Sequence, residues 1–239
     1  MIPKVIHYCW FGGKPLPELA RRCLASWQKF LPDYAIKQWN EQNYDVTQVP
    51  FVKDAYEAGN YSYVSDYVRF DVLYREGGIY FDTDVEVVAP IDDIMARGPW
   101  VGKEQDGGDG EPLIVASGLG MAAEPGMEVL KQLCERLQQH AFRLPDGTMN
   151  RVTVVHLLTQ ALTARGLQPG TEVQQVGGFS VYPREYFCPW DYIYGELRRT
   201  PNTRTIHWYT GYWLKPEPQW LKVLKRTGRR LLRACRLRH

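Results

Sequence analysis

The sequence predicts an α/β fold, and three observations carry that prediction. Residues 4–10 form a short, mostly apolar run that Gly12 and Gly13 terminate, as expected of a buried strand. Residues 17–30 repeat apolar side chains at helical spacing, and residues 34–39 read as a second short strand. A strand–helix–strand order favours a parallel sheet, and its ligand crevice is expected beside the glycines that follow the first strand.

The composition fits a soluble globular protein. Apolar residues make up 44% and charged residues 23% of the 239 residues, and no stretch is long and apolar enough to predict a membrane span. The five cysteines form no C-x-x-C pair, so neither a zinc site nor a disulfide framework is predicted. We also expect no signal peptide, and these observations together predict a cytoplasmic protein.

The content of aromatic residues is high, with 8 Trp and 15 Tyr. Such side chains are suited to stacking on sugar rings or bases, but they also serve as ordinary core residues with a polar rim. Composition alone leaves both interpretations open.

The middle of the chain carries the clearest helix. Residues 62–76 repeat valines at helical spacing, and Gly77 and Gly78 end the pattern. Residues 79–81 and 85–88 then predict two short strands with a break between them. Further along we expect a flexible loop at 105–111, helices at 126–142, 151–165 and 220–237, a strand running into a loop at 179–189, and a last strand at 205–208.

Two carboxylates occupy the break between the two central strands. Asp82 and Asp84 are one residue apart, so regular strand geometry would direct both to the same face. Two like charges that close repel each other unless a cation lies between them. Oxygen ligands suit Mg²⁺ or Mn²⁺, which also bind diphosphate oxygens. The pair is therefore typical of a site in which a metal assists the departure of a nucleoside diphosphate.

The residues alone leave two other interpretations of this pair. D-x-D is common by chance as two solvated turn aspartates, although the apolar strand before it favours the metal site. Aspartate-nucleophile phosphatases also place D-x-D after a buried strand, followed two residues later by Thr or Val. Glu86 occupies that position here, which argues against a phosphatase.

The helix before the aspartates contributes a second candidate pair. Asp66 and Arg69 are three residues apart and therefore share a helix face. A carboxylate accepts hydrogen bonds from sugar hydroxyls, and a guanidinium binds phosphate or sugar oxygens. The alternative is an ordinary surface ion pair, which contributes little to stability.

Several segments share a pattern with one family. They are residues 2–13 (IPKVIHYCWFGG), 39–45 (WNEQNYD), 63–69 (YVSDYVR), 77–84 (GGIYFDTD), 181–189 (VYPREYFCP) and 207–208 (HW). Together they resemble the DXD sugar transferases of glycosyltransferase family 32, which include bacterial capsular and O-antigen enzymes and the yeast-type initiating mannosyltransferases. The resemblance implies a GT-A fold with a Rossmann-like central mixed sheet, a nucleotide-sugar donor and retention of anomeric configuration.

The resemblance also implies roles for individual residues, because the large glucosylating bacterial toxins have the same W-x-G-G, D-x-x-R and D-x-D layout. By that analogy Trp10 would stack on the donor base, although a strand-end Trp also suits a core. Asp66 and Arg69 would hold sugar and phosphate. Asp82 would contact ribose, sugar or metal, and Asp84 would ligate the metal directly. The matched segments place four further residues in the donor site: Ile6, His7, Tyr63 and Thr83.

The last matched segment is similar to another retaining GT-A group, in which a His completes the metal site and a Lys reaches the diphosphate. The residues that carry this similarity are His207, Gly211, Trp213 and Lys215. It implies that His207 joins the two aspartates as a metal ligand, and that Trp213 and Lys215 lie at the donor. A lone histidine is otherwise more often structural.

The chain departs from the family pattern in two places. The usual H-H-W-x-x-S-W is IHWYTGYW at 206–213, so one His and the Ser are missing. Residues 113–126 (LIVASGLGMAAEPG) lack the Asn residues and the G-S-x-x-G-H-P pattern of relatives. These departures affect the expected sugar and acceptor, not the reaction class.

The sequence therefore predicts a retaining hexosyltransferase that uses Mn²⁺ or Mg²⁺ and a nucleotide sugar, with a UDP-hexose favoured. The expected acceptor is a glycan, lipid-linked, in surface polysaccharide synthesis. Two alternatives stay open: a nucleotide-sugar hydrolase or pyrophosphorylase, and a non-catalytic carbohydrate-binding scaffold.

The C-terminal end is strongly basic. From residue 215 onward there are nine Lys or Arg residues and one acidic residue, and apolar residues form one stripe of the predicted helix. This pattern is typical of a helix on an anionic membrane surface. We therefore expect a catalytic domain at 1–216 and a basic helix at 217–239 that holds the protein on the inner face of the cytoplasmic membrane. A docking helix or a frayed tail is the alternative, and no nucleic-acid-reading motif accompanies the charge.

Overall fold

The computed structural model describes residues 1–108, 110–150, 152–211 and residue 227. These ranges contain the helices α1 (Glu18–Phe30), α2 (Pro50–Glu57), α3 (Tyr61–Glu76), α4 (Asp92–Met95), α5 (Glu128–Gln138), α6 (Val154–Thr163) and α7 (Arg184–Phe187), with a 3-10 turn at Ser117–Leu119. They contain the strands β1 (Val5–Cys9), β2 (Ala35–Trp39), β3 (Gly78–Tyr80), β4 (Val85–Val87), β5 (Trp100–Gly108), β6 (Glu111–Val115), β7 (Met121–Ala123), β8 (Gln174–Val176), β9 (Phe179–Tyr182), β10 (Trp190–Asp191), β11 (Glu196–Leu197) and β12 (Thr205–His207).

The central sheet is mixed, as predicted. Its strand order is β2-β1-β3-β7-β5-β9-β8, and β6 pairs with β5 off this path. Strands β1, β2 and β3 run parallel, with Ile6 opposite Ile36 on one side and Ile79 on the other. Strand β7 pairs antiparallel with β3 and β5, while β9 runs parallel to β5. A separate antiparallel ribbon joins β4 to β12.

Two apolar cores cover the two faces of the sheet. Successive strand residues alternate between them, as period-two geometry requires. Ile79 and Trp100 belong to the core that contains Trp27 of α1, whereas their neighbours Tyr80 and Val101 belong to the core built with α3, α5 and α6. The helices therefore lie on both faces of the sheet, which confirms the α/β class.

The glycine pair after α3 turns the chain directly into β3. Gly77 and Gly78 have φ angles of 67° and 99°, which residues with a Cβ rarely adopt. A Cβ on Gly77 would come within 2.6 Å of Pro125, and one on Gly78 within 2.6 Å of Val5. The predicted helix stop is thus confirmed, and it fixes Asp82 a few residues beyond the end of α3.

The glycine-rich segment 105–111 differs from its prediction as a loop. Strand β5 continues to Gly108 and β6 starts at Glu111, so the segment forms most of an antiparallel hairpin. Gly107 and Gly108 have φ angles of 75° and 95° and lie at its turn. The polar residues before them still pair, because a hairpin tip exposed to water needs no apolar pattern. Strands β6, β7 and β8 and helix α2 were not predicted either.

No helix in the part of the chain that the structure describes is long and apolar enough to cross a membrane. Apart from residue 227, the predicted helix at 220–237 lies outside the described residues, as does the division into domains at residue 216, and both stay predictions.

Candidate functional site

The carboxyl ends of three parallel strands form the edge that carries the candidate site. Because β1, β2 and β3 run in one direction, the residues that follow them meet at the same edge. The Trp10 amide donates to the Trp39 carbonyl at 2.9 Å, and the Phe81 amide donates to the His7 carbonyl at 3.1 Å. The turn at Gly12 and the D-x-D segment therefore come to one side of the sheet.

The D-x-D segment is a turn, not a continued strand. The Val85 amide donates to the Asp82 carbonyl at 3.0 Å, which reverses the chain between β3 and β4. The two carboxylates consequently contact different partners: Asp82 meets Arg69, and Asp84 meets His207. The expectation that regular strand geometry directs both side chains to one face is wrong, because the strand ends at Tyr80.

Arg69 is the centre of the first half of the site. Its guanidinium Nη2 lies 2.9 Å from Oδ1 of Asp66 and 3.2 Å from Oδ1 of Asp82. Its Nη1 donates to the Ser117 hydroxyl at 3.3 Å, and the group lies 4.9 Å from the centre of the Tyr80 ring. Only 7% of the Arg69 side chain and 20% of the Asp66 side chain is exposed, so the surface ion pair considered above is excluded.

Burial sets the charges of this cluster. It raises the pKa of Asp66 to about 6, against the opposing effect of Arg69. Burial alone would lower the pKa of Arg69, but Asp82, Tyr80 and Asp66 outweigh it and keep the guanidinium charged. The cluster thus presents a fixed cation beside a carboxyl group that titrates near neutral pH.

Asp84 and His207 form the second half of the site. The β4–β12 ribbon pairs His207 with Val85, and the His207 Nε2 lies 3.0 Å from Oδ1 of Asp84. The other oxygen of Asp84 accepts the Thr210 amide at 2.8 Å and the Thr210 hydroxyl at 2.7 Å. The C-terminal ribbon therefore closes over the D-x-D turn, as the resemblance implies for His207.

The electrostatics of this pair favour an ionised carboxylate. Burial would raise the pKa of Asp84, but His207 and the hydrogen bonds from Thr210 hold it well below its usual range. Burial would lower the pKa of His207, and Asp84, then Asp82 and Glu104, raise it overall. Three carboxylates thus act on one imidazole, and its buried Nδ1 has no hydrogen-bond partner among the residues that the structure describes.

Asp84 and His207 meet part of the geometric requirement for binding a divalent ion. Two neighbouring ligands of an octahedral Mg²⁺ at about 2.1 Å lie about 3 Å apart, and such ions are bound by one or two protein groups plus substrate phosphates. The 3.0 Å between His207 and Asp84 matches that spacing. Within the described ranges, however, no group of three or more His, Cys, Asp and Glu side chains is arranged to hold a metal. Asp82 lies nearby but is engaged by Arg69, so the three predicted ligands are not assembled together.

The other residues predicted to bind the nucleotide-sugar donor lie in different environments. Trp10 is half-buried at the end of β1, at the site edge, and its indole donates to the Lys14 carbonyl. Thr83 lies in the D-x-D turn itself. Tyr63 lies in the first turn of α3, is half-buried and packs on Phe51 and Phe142.

Two predicted donor residues lie inside the sheet, and the structure does not bring them to the site. Ile6 is fully buried in mid-strand. His7 is fully buried too, with Nδ1 3.0 Å from the Trp39 indole nitrogen and Nε2 2.8 Å from the Gly77 carbonyl. Both ring nitrogens are used inside the protein, and burial lowers the pKa of His7. Trp213 and Lys215 lie outside the described residues.

Several residues of the site were not predicted. Ser117 accepts a hydrogen bond from Arg69, and a Cβ on the neighbouring Gly118 would collide with the Asp82 carboxylate. Tyr209 packs its ring 4.0 Å from that of His207 and has a φ of 49°, a conformation rare for a bulky residue. Thr210 holds Asp84. The signal that marks Ser117 and Gly118 was the departure from the family pattern at 113–126, which was assigned to substrate identity instead.

Comparisons with known proteins agree with this geometry. Residues 17–100 match the family described as the glycosyltransferase sugar-binding region containing the DXD motif. Inositol phosphoceramide mannosyltransferase 3 of Schizosaccharomyces pombe is 30% identical over 111 residues, which are 45% of this chain and 31% of that protein. Subversion of eukaryotic traffic protein A of Legionella pneumophila is 26% identical over 38% of this chain and 18% of its own length. This chain therefore spans less than a third of the length of either relative.

A solved structure supports the fold. The PaToxG glycosyltransferase superposes with a TM-score of 0.51 at 18% identity, over 67% of this chain and 68% of that one. An identity this low is evidence for the fold alone. Together with the motifs, the matches confirm the resemblance to the DXD glycosyltransferases: residues 17–100 match their sugar-binding region, and the chain has a GT-A fold.

Proposed function

We propose that this protein is a metal-dependent glycosyltransferase that moves a hexose from a nucleotide sugar, a UDP-hexose in the favoured case, to a glycan. The observation that carries the proposal is the contact between Asp84 and His207, which brings two suitable metal ligands together at the D-x-D turn. The matched DXD region and the fold support the same reaction class.

The charge of each side chain determines its proposed role in the site. Asp84 and His207 hold a divalent ion, which neutralises charge on the departing nucleoside diphosphate. Arg69 binds a phosphate or sugar oxygen, because one of its five N–H groups stays available beyond those that contact Ser65, Ser117, Asp66 and Asp82. Asp66 and Asp82 accept hydrogen bonds from hydroxyls of the donor. Trp10 provides the face on which the base stacks.

Retention of anomeric configuration is part of the proposal. No carboxylate of the site can be assigned as a covalent nucleophile, so the acceptor hydroxyl attacks from the face that the diphosphate leaves. The departing phosphate then takes the hydroxyl proton. Proton NMR of the first product formed, before mutarotation or further reaction, distinguishes the two outcomes: an anomer inverted relative to the donor contradicts this step without affecting the rest.

The acceptor and location are proposed from the sequence. A lipid-linked glycan of a surface polysaccharide would be met at the inner face of the cytoplasmic membrane, where the basic residues after 216 bind anionic lipid. The residues after 216 carry eight Lys or Arg side chains and one acidic side chain.

A thermal-shift screen of nucleotide sugars with and without Mn²⁺ tests the proposal. We expect one donor class to stabilise the wild-type protein only when Mn²⁺ is present, and Asp84→Asn to lose that shift. Asp54→Asn serves as the matched control, because Asp54 is exposed on α2 away from the site. A folded wild-type protein that responds to no nucleotide sugar contradicts the proposal and favours a non-catalytic scaffold. Rapid donor turnover without any acceptor favours the hydrolase.

A further inference from the structure

A pocket of about 400 Å³ lies beside the candidate site and is not used by the donor chemistry described above. Its volume falls within the range of about 300–1,000 Å³ in which proteins bind small molecules. The β5–β6 hairpin forms one side, and the segment around β10 and β11 forms the other. Every lining residue lies after residue 100, outside the segment 17–100 that matches the family, so its ligand cannot be transferred from a relative.

Tyr209 is the wall that the pocket shares with the metal-binding half of the site. One side of its ring packs 4.0 Å from the His207 ring, and Tyr192, on the pocket lining, packs 4.7 Å from it. Its hydroxyl lies 3.2 Å from Sγ of Cys188, which also lines the pocket. The left-handed backbone of Tyr209, with a φ of 49°, holds the ring in this position at a conformational cost, and such strain is concentrated at functional sites. A molecule in the pocket therefore lies next to the reaction centre.

The lining combines aromatic faces with hydrogen-bonding groups. Trp190, Tyr192, Tyr194 and Tyr209 contribute the aromatic side chains. Tyr192 is 43% exposed, so its ring is accessible to a ligand in the pocket. Aromatic rings beside carboxylates and amides suit a sugar, whose C–H face packs on a ring while its hydroxyls donate to oxygens.

The charges of the lining select among sugars. Four carboxylates and two guanidinium groups face the pocket: Glu104, Asp106, Glu111, Asp191, Arg184 and Arg198. Both guanidinium groups are already near carboxylates, Arg184 at 3.8 Å from Asp191 and Arg198 at 2.6 Å from Glu196. An anionic sugar would therefore meet a net negative surface, whereas a neutral one meets acceptors for its hydroxyls.

We propose that this pocket binds the terminal sugar of the acceptor, and that this sugar is neutral and not a uronic acid or a phosphorylated residue. The inference rests on the proposed transferase function, because it assigns the second substrate of the same reaction. Tyr192 supplies the stacking face, and Glu104 accepts hydroxyl hydrogen bonds and repels anionic sugars.

Saturation-transfer NMR with simple glycosides tests this assignment. The probes are the methyl glycosides of glucose, galactose, mannose and N-acetylglucosamine, with methyl glucuronide as the anionic counterpart, each at millimolar concentration with UDP and Mn²⁺ present. We expect at least one neutral glycoside to bind and the glucuronide to bind more weakly. Tyr192→Ala should weaken binding about fivefold, since a lost aromatic contact contributes on the order of 1 kcal/mol. Tyr192→Phe keeps the ring face and should retain binding.

A charge variant tests the selectivity. Glu104→Gln should narrow the preference for the neutral glycoside over the glucuronide, whereas Glu172→Gln, an exposed position outside the pocket, should leave it unchanged. The pocket assignment is overturned if no glycoside binds, if the glucuronide binds best, or if Tyr192→Ala binds the neutral glycoside as well as the wild type. It is also overturned if these variants weaken UDP-sugar binding instead, because the pocket would then hold the donor.

The same samples separate this inference from the proposed function. Binding of UDP with Mn²⁺ is measured first. If neither UDP nor the nucleoside diphosphate of any other screened donor binds, the transferase proposal itself fails. If UDP binds and the glycosides do not, only the acceptor pocket is wrong.

Discussion

Nε2 of His207 lies 3.0 Å from Oδ1 of Asp84, although 123 positions separate the two residues in the chain. The contact exists because β12 pairs antiparallel with β4 and sets His207 opposite Val85, the residue after Asp84. The last described strand thus completes a site that the D-x-D turn begins. The proposed function depends on this contact more than on any other.

Replacement of Arg69 by lysine should reduce activity while the fold is kept. Lysine preserves the charge but cannot contact Asp66, Asp82 and a donor oxygen with one planar group. We expect kcat/KM for the donor to fall about 100-fold, in line with the loss of one well-placed donor to developing charge. Steady-state kinetics with the donor found by the screen measures this.

Arg75→Lys is the matched control for that variant. Arg75 lies on the same helix, pairs with Asp71, and its side chain is 46% exposed. Its substitution should leave kcat/KM within about twofold, because an exposed ion pair contributes little. Equal losses in both variants would show that α3, and not the guanidinium of Arg69, is what the activity requires.

Asp66→Asn should change how stability depends on pH. The pKa of Asp66 is raised to about 6 in the folded protein, so the folded state holds this proton more tightly than the unfolded chain. The contribution of the protonated group is complete below its unfolded pKa of about 4 and is lost as pH rises through about 6.

Asparagine does not titrate, so the Asp66→Asn variant does not lose stability in this way as the pH rises. Its free energy of unfolding, relative to the wild type, should therefore increase by on the order of 2 kcal/mol between about pH 4 and pH 7. Urea unfolding of both proteins across this range measures the difference. A difference that is constant with pH would show that Asp66 is already ionised throughout.

Gly118→Ala should impair the donor site more than it impairs folding. A Cβ at this position would collide with the Asp82 carboxylate and come within 3.1 Å of the Arg69 guanidinium, displacing both groups. We expect donor-dependent thermal stabilisation to be lost while the protein still unfolds cooperatively.

Gly98→Ala separates the two effects. Gly98 has a φ of 90°, so alanine there strains the backbone, but open space surrounds the added Cβ. This variant should lose stability, on the order of 1 kcal/mol, and retain donor binding. Donor binding that survives in Gly118→Ala would place the donor away from Asp82.

The basic C-terminal segment should govern membrane binding. A chain that ends at residue 216 lacks eight of the nine C-terminal cations, each contributing about 1 kcal/mol near an anionic surface. In sedimentation with phosphatidylserine vesicles at low salt, the full chain should be found with the vesicles in the pellet and the shortened chain in the supernatant. Equal retention on phosphatidylcholine vesicles, or no effect of salt, would contradict an electrostatic anchor.

The parts of the fold that follow from local sequence were predictable. The stop of α3 at Gly77 and Gly78 needs only a positive φ, and the Asp66–Arg69 contact needs only helical spacing. The strand before Asp82 is an uninterrupted apolar run. Each of these features depends on residues only a few positions apart, so the local sequence pattern is sufficient to predict it.

The parts that depend on distant pairing were not predictable from the residues. Ser117 reaches Arg69 across 48 positions, and only the antiparallel pairing of β7 with β3 brings it there. The W-N-E segment and the first strand contain Trp39 and His7, yet nothing local shows that the two side chains hydrogen-bond inside the sheet. The resemblance placed His207 near the aspartates, but its one-to-one contact with Asp84 required the β4–β12 register.

The role of Asp84 and His207 as metal ligands is tested by Mn²⁺ binding in the presence of UDP. Electron paramagnetic resonance measures the Mn²⁺ that stays free in solution. The account predicts that the wild-type protein and Asp54→Asn take up Mn²⁺ together with UDP, and that Asp84→Asn and His207→Ala each lose this uptake while remaining folded. Undiminished uptake in both site variants would contradict the claim that Asp84 and His207 hold the metal.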